Sequence, residues 1–163
     1  MNPNIDKIIN DVVSTYVSST CVDNVTLCMA RKIIRGVEEK AIEMGVKAVV
    51  AIADRGGRTI AVECMDDSYI ASYDIAVNKA FTCVSLKMST KTLSSLALPG
   101  ASLYGIQFTN DGKILIFGGG EPLDCNGKII GAVGVSGGSE EQDTALAAYG
   151  KEVFYKLLKE GAK

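Results

Sequence analysis

The chain has 163 residues, 47% of them apolar and 22% charged, which suits one well-buried domain and excludes a disordered or collagen-like chain. Its formal charge of -2 comes from 17 basic and 19 acidic residues with no basic stripe, so no nucleic-acid binding is expected. There is no histidine, which removes Ser-His-Asp and Cys-His catalysis, His-containing zinc motifs and proximal-histidine haem ligation within one subunit.

Ile5, Ile8, Ile9, Val12, Val13 and Tyr16 recur at steps of three and four, which predicts an amphipathic helix over 4–17. Residues 18–24 form a short polar linker, so 1–24 stand apart from a main domain at 25–163. The helix either packs on that domain or docks on a partner. A second helix is expected from Asn24 to about Met44, burying Leu27, Ala30, Ile33, Ile34, Val37, Ala41 and Ile42, with Gly45 ending it.

Two apolar runs, 47–54 and 59–65, flank Gly56-Gly57 and predict a β-hairpin. A helix over 70–87 follows, its small-residue face interrupted by Lys79, and then a short helix over 90–96 ahead of Pro99-Gly100. Residues 113–117 read as a strand. Gly118-Gly119-Gly120 make a poor strand interior and suit a turn whose backbone approaches something closely. Asn126-Gly127 between 123–125 and 128–136 calls for a type I′ hairpin turn, and Ser139-Glu140-Glu141-Gln142 is a capping box that starts the last helix. That helix is expected to bury Leu146, Tyr149, Val153 and Leu157.

Cys21, Cys28, Cys64, Cys83 and Cys125 are odd in number and form no CxxC. They read as buried small hydrophobes, not as a disulfide scaffold. No apolar run reaches the length of a membrane span and no cleavable signal opens the chain, so a cytoplasmic location is expected.

The candidate ligand pocket is formed by Lys79 with Gly118, Gly119, Gly120, Glu121, Ser136 and Gly137, where glycine-opened backbone meets one lysine. A buried Lys79 binds a carboxylate, forms a Schiff base, or makes an ordinary salt bridge. The enzymatic alternative is a lyase, isomerase or hydrolase using Lys79 with Glu121 or Asp143.

Residues 50–57 (VAIADRGG), Lys79-Ala80, Gly118 to Pro122, and Asn126-Gly127 leading into 131–138 (GAVGVSGG) with Asp143 beyond form a specific ordered set. On these the chain resembles the family that includes GlcG, the haem-associated HbpS and the C-terminal domain of PduO. The resemblance implies a profilin-like α/β (α+β) fold, with a five-stranded antiparallel sheet flanked by helices, assembled as a homo-oligomer. The leading reading is a non-catalytic oligomeric accessory protein that binds a small molecule or cofactor, and the resemblance makes haem or a corrinoid the candidate. The adenosyltransferase activity of PduO belongs to its other domain. Without histidine, the axial ligands left are Cys64, Cys83, Met65, Met88, Tyr69 and Tyr73, with Cys64, Met65 and Cys83 the candidate metal ligands. PduO relatives belong to bacterial microcompartments, and residues 4–17 resemble helices that direct cargo to a shell. A structural cargo role with no ligand is the third reading.

Overall fold

The computed structural model describes residues 22–161 together with Ile5; the expected helix over 4–17 otherwise lies outside them. Helix α1 (Leu27–Glu43) is capped by Thr26, whose hydroxyl accepts from the Met29 amide at 3.2 Å. It ends at Met44, and Gly45 follows at φ +68°, a left-handed position that glycine takes without steric cost. The buried stripe is Ala30, Ile33, Ile34, Val37 and Ala41. Leu27 and Ile42, expected on that stripe, are exposed: Leu27 is the first residue of the helix, and Ile42, a further step of about 100° round the helix from Ala41, falls off the buried face.

Strands β1 (Val49–Asp54) and β2 (Thr59–Cys64) form the expected hairpin. The Asp54 carboxylate closes the turn by accepting from the Gly56 and Arg58 amides, both at 2.9 Å. Helix α2 (Ser72–Leu86) and the short α3 (Thr90–Leu96) follow. Strands β3 (Gly120–Cys125) and β4 (Lys128–Ser136) are joined by Asn126 and Gly127 at φ +51° and +75°, the paired positive values that a type I′ turn requires. The last helix, α4 (Glu140–Gly161), opens on a reciprocal cap in which Ser139 and Gln142 each accept the other's amide.

The sheet has four strands, all antiparallel, in the order β2-β1-β4-β3. The expected five-stranded sheet is therefore corrected: residues 113–117 join no ladder. Their backbone bonds to a side chain instead, with the Thr82 hydroxyl donating to the Lys113 carbonyl and accepting from the Leu115 amide. Once Thr82 on α2 holds that segment, its apolar run lies beside the helix and not along the edge of β3.

Both sheet faces are covered, which is why β1 is buried along its whole length. Val50 and Ile52 of β1, with Val133 and Val135 of β4, face the layer built by α1 and α4. The two helices approach closely at glycines: a Cβ on Gly36 would lie 3.1 Å from Val153, and one on Gly150 would lie 3.0 Å from Val37. On the opposite face Val49, Ala51, Ala53 and Ala132 pack under α2. Small residues there bring α2 almost onto the sheet, and a Cβ on Gly134 would collide with the Ala76 carbonyl. The last helix buries Leu146 and also Phe154, which the expected face omitted, while Tyr149, Val153 and Leu157 are half-buried.

Candidate functional site

Lys79 does not interrupt the buried face of α2; it is part of it, with no solvent exposure. Its ammonium donates to the Val135 carbonyl and to Asp143 Oδ2, both at 2.8 Å, and lies 4.9 Å from the centre of the Phe117 ring. Asp143 Oδ1 in turn accepts from the Gly138 amide at 2.9 Å. Burial pushes the ammonium down and the carboxyl up, each opposed by the charge of the other. The result is a polar knot that ties α2, the end of β4 and the first turn of α4.

Of the glycines expected beside Lys79, Gly119 and Gly120 meet it, while Gly118 and Gly137 are packed against other residues. Gly119, at φ +114°, leaves room for the lysine: a Cβ would lie 2.5 Å from Nζ. A Cβ on Gly120 would lie 2.8 Å from Cys83 Sγ, and one on Gly118 would collide with the Thr144 hydroxyl. Gly118 donates its amide to Glu140, and Gly137 is pressed against the Lys47 carbonyl. Ser136 shares a buried hydrogen bond with Ser72 at 3.0 Å. Lys79 lines neither the hollow at Cys64 and Met65, nor that at Met29 and Leu157, nor that at Arg55 and Lys128.

Glu121 is not a partner of Lys79. It projects from the other face of β3 and pairs with Lys151 at 3.5 Å, which also reaches Asp124 at 3.6 Å. Tyr155 donates to Asp124 at 2.6 Å, and burial followed by that bond raises the phenol to about 12. The proton is held more tightly in the folded chain, so this group's contribution to stability is present below pH 10 and is lost as pH rises through about 12. An ultraviolet titration should show a tyrosine step near about pH 12 that Tyr155→Phe removes.

The cysteines depart from the uniform buried reading. Cys28 and Cys64 are exposed free thiols, Cys83 is a buried free thiol raised to about 12 by desolvation, and Cys125 is disulfide-bonded. Cys83 is accordingly not available as a thiolate ligand, and it sits on α2, packed against Ala53 and Ala132 on the opposite side of the sheet from α1. Cys64 and Met65 come together in a hollow of about 540 Å³ between the C-terminal end of α1 and the end of β2. Glu38, Ile42, Gly45, Val46, Lys47 and Asp66 complete its walls. Both sulfur residues stand out in the sequence; the hollow's wall also includes Ile42, which the structure leaves exposed. Among the described residues no three His, Cys, Asp or Glu side chains gather as a metal site, and no helix is long and apolar enough to cross a membrane.

A four-stranded antiparallel sheet between helical layers, closed by a lysine–aspartate knot and carrying a sulfur-lined hollow, defines a small α/β domain of the ligand-binding kind. The family model described as "Haem degrading protein HbpS-like" matches residues 25–152, and the chain belongs to that family. The crystal structure of the Klebsiella pneumoniae protein ORFY is 45% identical, with a TM-score of 0.80 over 83% of this chain and 93% of that one. A PduOC:heme complex is 35% identical, with a TM-score of 0.77 over 80% of this chain and 94% of that one. The corrinoid adenosyltransferase PduO of Salmonella typhimurium is 40% identical over 116 residues, 71% of this chain; the match spans about a third of that protein's length, 34%.

Proposed function

We propose that this chain is a non-catalytic accessory protein that binds a tetrapyrrole, haem or a corrinoid, in the hollow between α1 and β2. The observation that carries the reading is the pairing of an exposed free thiol, Cys64, with a thioether, Met65, on an apolar hollow of about 540 Å³, a size within the range of small-molecule sites. Membership of a family described by haem, and the likeness to a domain crystallised with haem, support it. The donor set fits the group: bound haem supplies an iron that accepts thiolate or thioether sulfur. Cys64 would hold the iron, and Met65, whose sulfur accepts from the Ala48 amide at 3.3 Å, fixes the hollow's floor. Ile42 and Val46 would cover the macrocycle, and Lys47, which pairs with Asp67 at 2.7 Å, would exchange that partner for its carboxylates.

The Lys79–Asp143 knot serves this function as scaffold. An enzymatic role would need a carbonyl substrate to reach an amine that has no solvent exposure. The exposed Tyr69, Ile70, Tyr73, Leu98, Tyr104 and Phe108 are available to bury in a homo-oligomer, and the apolar stripe over 4–17 is the segment we assign to microcompartment docking.

Hemin titration followed by visible absorption tests the reading. A saturable shift of the Soret band is expected, and Cys64→Ser should weaken binding about tenfold or more, the effect of losing one axial donor. An identical titration for Cys64→Ser and Met65→Leu would remove the hollow as the site.

A further inference from the structure

We propose that the hollow at the opposite end of β1 from Cys64 binds an organic phosphate, its phosphoryl group held among Arg55, Lys87 and Lys128 and its organic part laid on Val84 and Ile129. The hollow has a volume of about 540 Å³, and Gly127 completes its lining. Its residues come from three places that meet at one end of the sheet: the β1–β2 turn, the C-terminal end of α2, and the β3–β4 turn with the start of β4. The three cations are exposed while Val84 and Ile129 are half-buried, so a cationic rim stands over a small apolar floor. Asp54, next to Arg55, pairs with Gly131 at one end of β1, whereas Cys64 pairs with Val49 at the other. The site is thus separate from the tetrapyrrole hollow, and the inference stands independently of that reading.

Positive charge is in excess there. Among the described residues Arg55 and Lys87 make no ion pair, and Lys128 has one, to Asp23 at 2.9 Å. The Lys128 bond, and beyond it the charge of Arg55, hold the Asp23 carboxyl below its ordinary value, so both cations act on one point. The C-terminal end of α2 adds about half a unit of negative charge, which leaves the hollow net positive. A phosphate monoester carries about two negative charges above neutral pH and offers three terminal oxygens. That matches donors arriving from three elements, one of them the planar fork of an arginine. The backbone beneath the cations is fixed in advance. The Arg55 amide donates to Asn24 Oδ1 at 3.0 Å, and the Asp54 carboxylate holds the Gly56 and Arg58 amides. Lys87 stands at φ +56° just past α2, a left-handed position where glycine is the usual residue. A lysine accepts strain there that glycine would avoid.

Isothermal titration calorimetry of the full chain with phenyl phosphate tests the site, at about pH 8 and about 0.1 M salt so that loose ion pairing is screened. Saturable binding at one site per chain is expected. Arg55→Gln and Lys87→Gly should each weaken it about fivefold or more. Glycine at position 87 relieves the left-handed backbone, so a loss of binding there is not a loss of fold. Lys156→Gln removes an equal charge from an exposed position on α4, across the sheet from α2, and should leave the affinity unchanged. Benzoate, with the same ring and a single charge, should bind about fivefold more weakly or worse. Inorganic phosphate, which has nothing to lay on Val84 and Ile129, should also bind more weakly than phenyl phosphate. No saturable heat with phenyl phosphate, or an equal loss in Lys156→Gln, would overturn the proposal by reducing the hollow to diffuse surface charge. Inorganic phosphate bound as tightly as phenyl phosphate would overturn the organic ligand. None of these results moves hemin binding at Cys64, so the two readings fail separately.

Discussion

Replacing Lys79 by methionine should destabilise the fold by about 3–5 kcal/mol, the cost of leaving a buried charge without its partner. The ammonium is fully buried and makes its two contacts to groups on β4 and α4, so methionine keeps the stem's packing but strands the Asp143 carboxylate and the Val135 carbonyl. Adding Asp143→Asn removes the stranded charge while preserving an acceptor for the Gly138 amide. The double variant should therefore recover part of the loss, which separates the ion pair from mere packing. Urea unfolding with an unchanged slope measures both effects. A loss below about 1 kcal/mol for Lys79→Met would mean that the knot does not hold the layers together.

Gly134→Ala should be comparably severe, at about 3 kcal/mol, the upper range for forcing an added methyl into a packed interior. The new Cβ would collide with the Ala76 carbonyl and lie 2.7 Å from the Ala80 amide nitrogen. Both are helix backbone and neither can rotate aside, so α2 has to lift from the sheet. Gly45→Ala is the matched control: nothing lies within 4 Å of its Cβ, and only its φ of +68° opposes a side chain, a cost of about 1 kcal/mol. Thermal unfolding of the pair, with Gly134→Ala no worse than Gly45→Ala, would contradict the close seating of α2.

The features legible in the sequence are those whose cause is local. Asn126-Gly127, Gly56-Gly57, Gly45 and the Ser139–Gln142 cap each carry their geometry in adjacent residues, and each is found in place. Residues 113–117 misled because an apolar run reads alike beside a helix or in a sheet; the deciding bonds come from Thr82, some thirty residues earlier. Lys79 read as a break in its helix face because its partner Asp143 stands 64 positions away. The triple glycine predicts close backbone approach, and the groups that approach it belong to the chain itself, with Lys79 and Asp143 against Gly119. The Cys64–Met65 hollow is not legible for the complementary reason: one of its walls is Ile42, which the sequence places in the core and the structure leaves exposed.

The central claim, a tetrapyrrole held by sulfur in the hollow between α1 and β2, is tested most directly by native mass spectrometry of the full chain after addition of hemin. The account predicts a homo-oligomer carrying one haem per chain, with the added mass sharply reduced in Cys64→Ser. A protein that retains no haem mass, or retains it equally after Cys64→Ser, would contradict it.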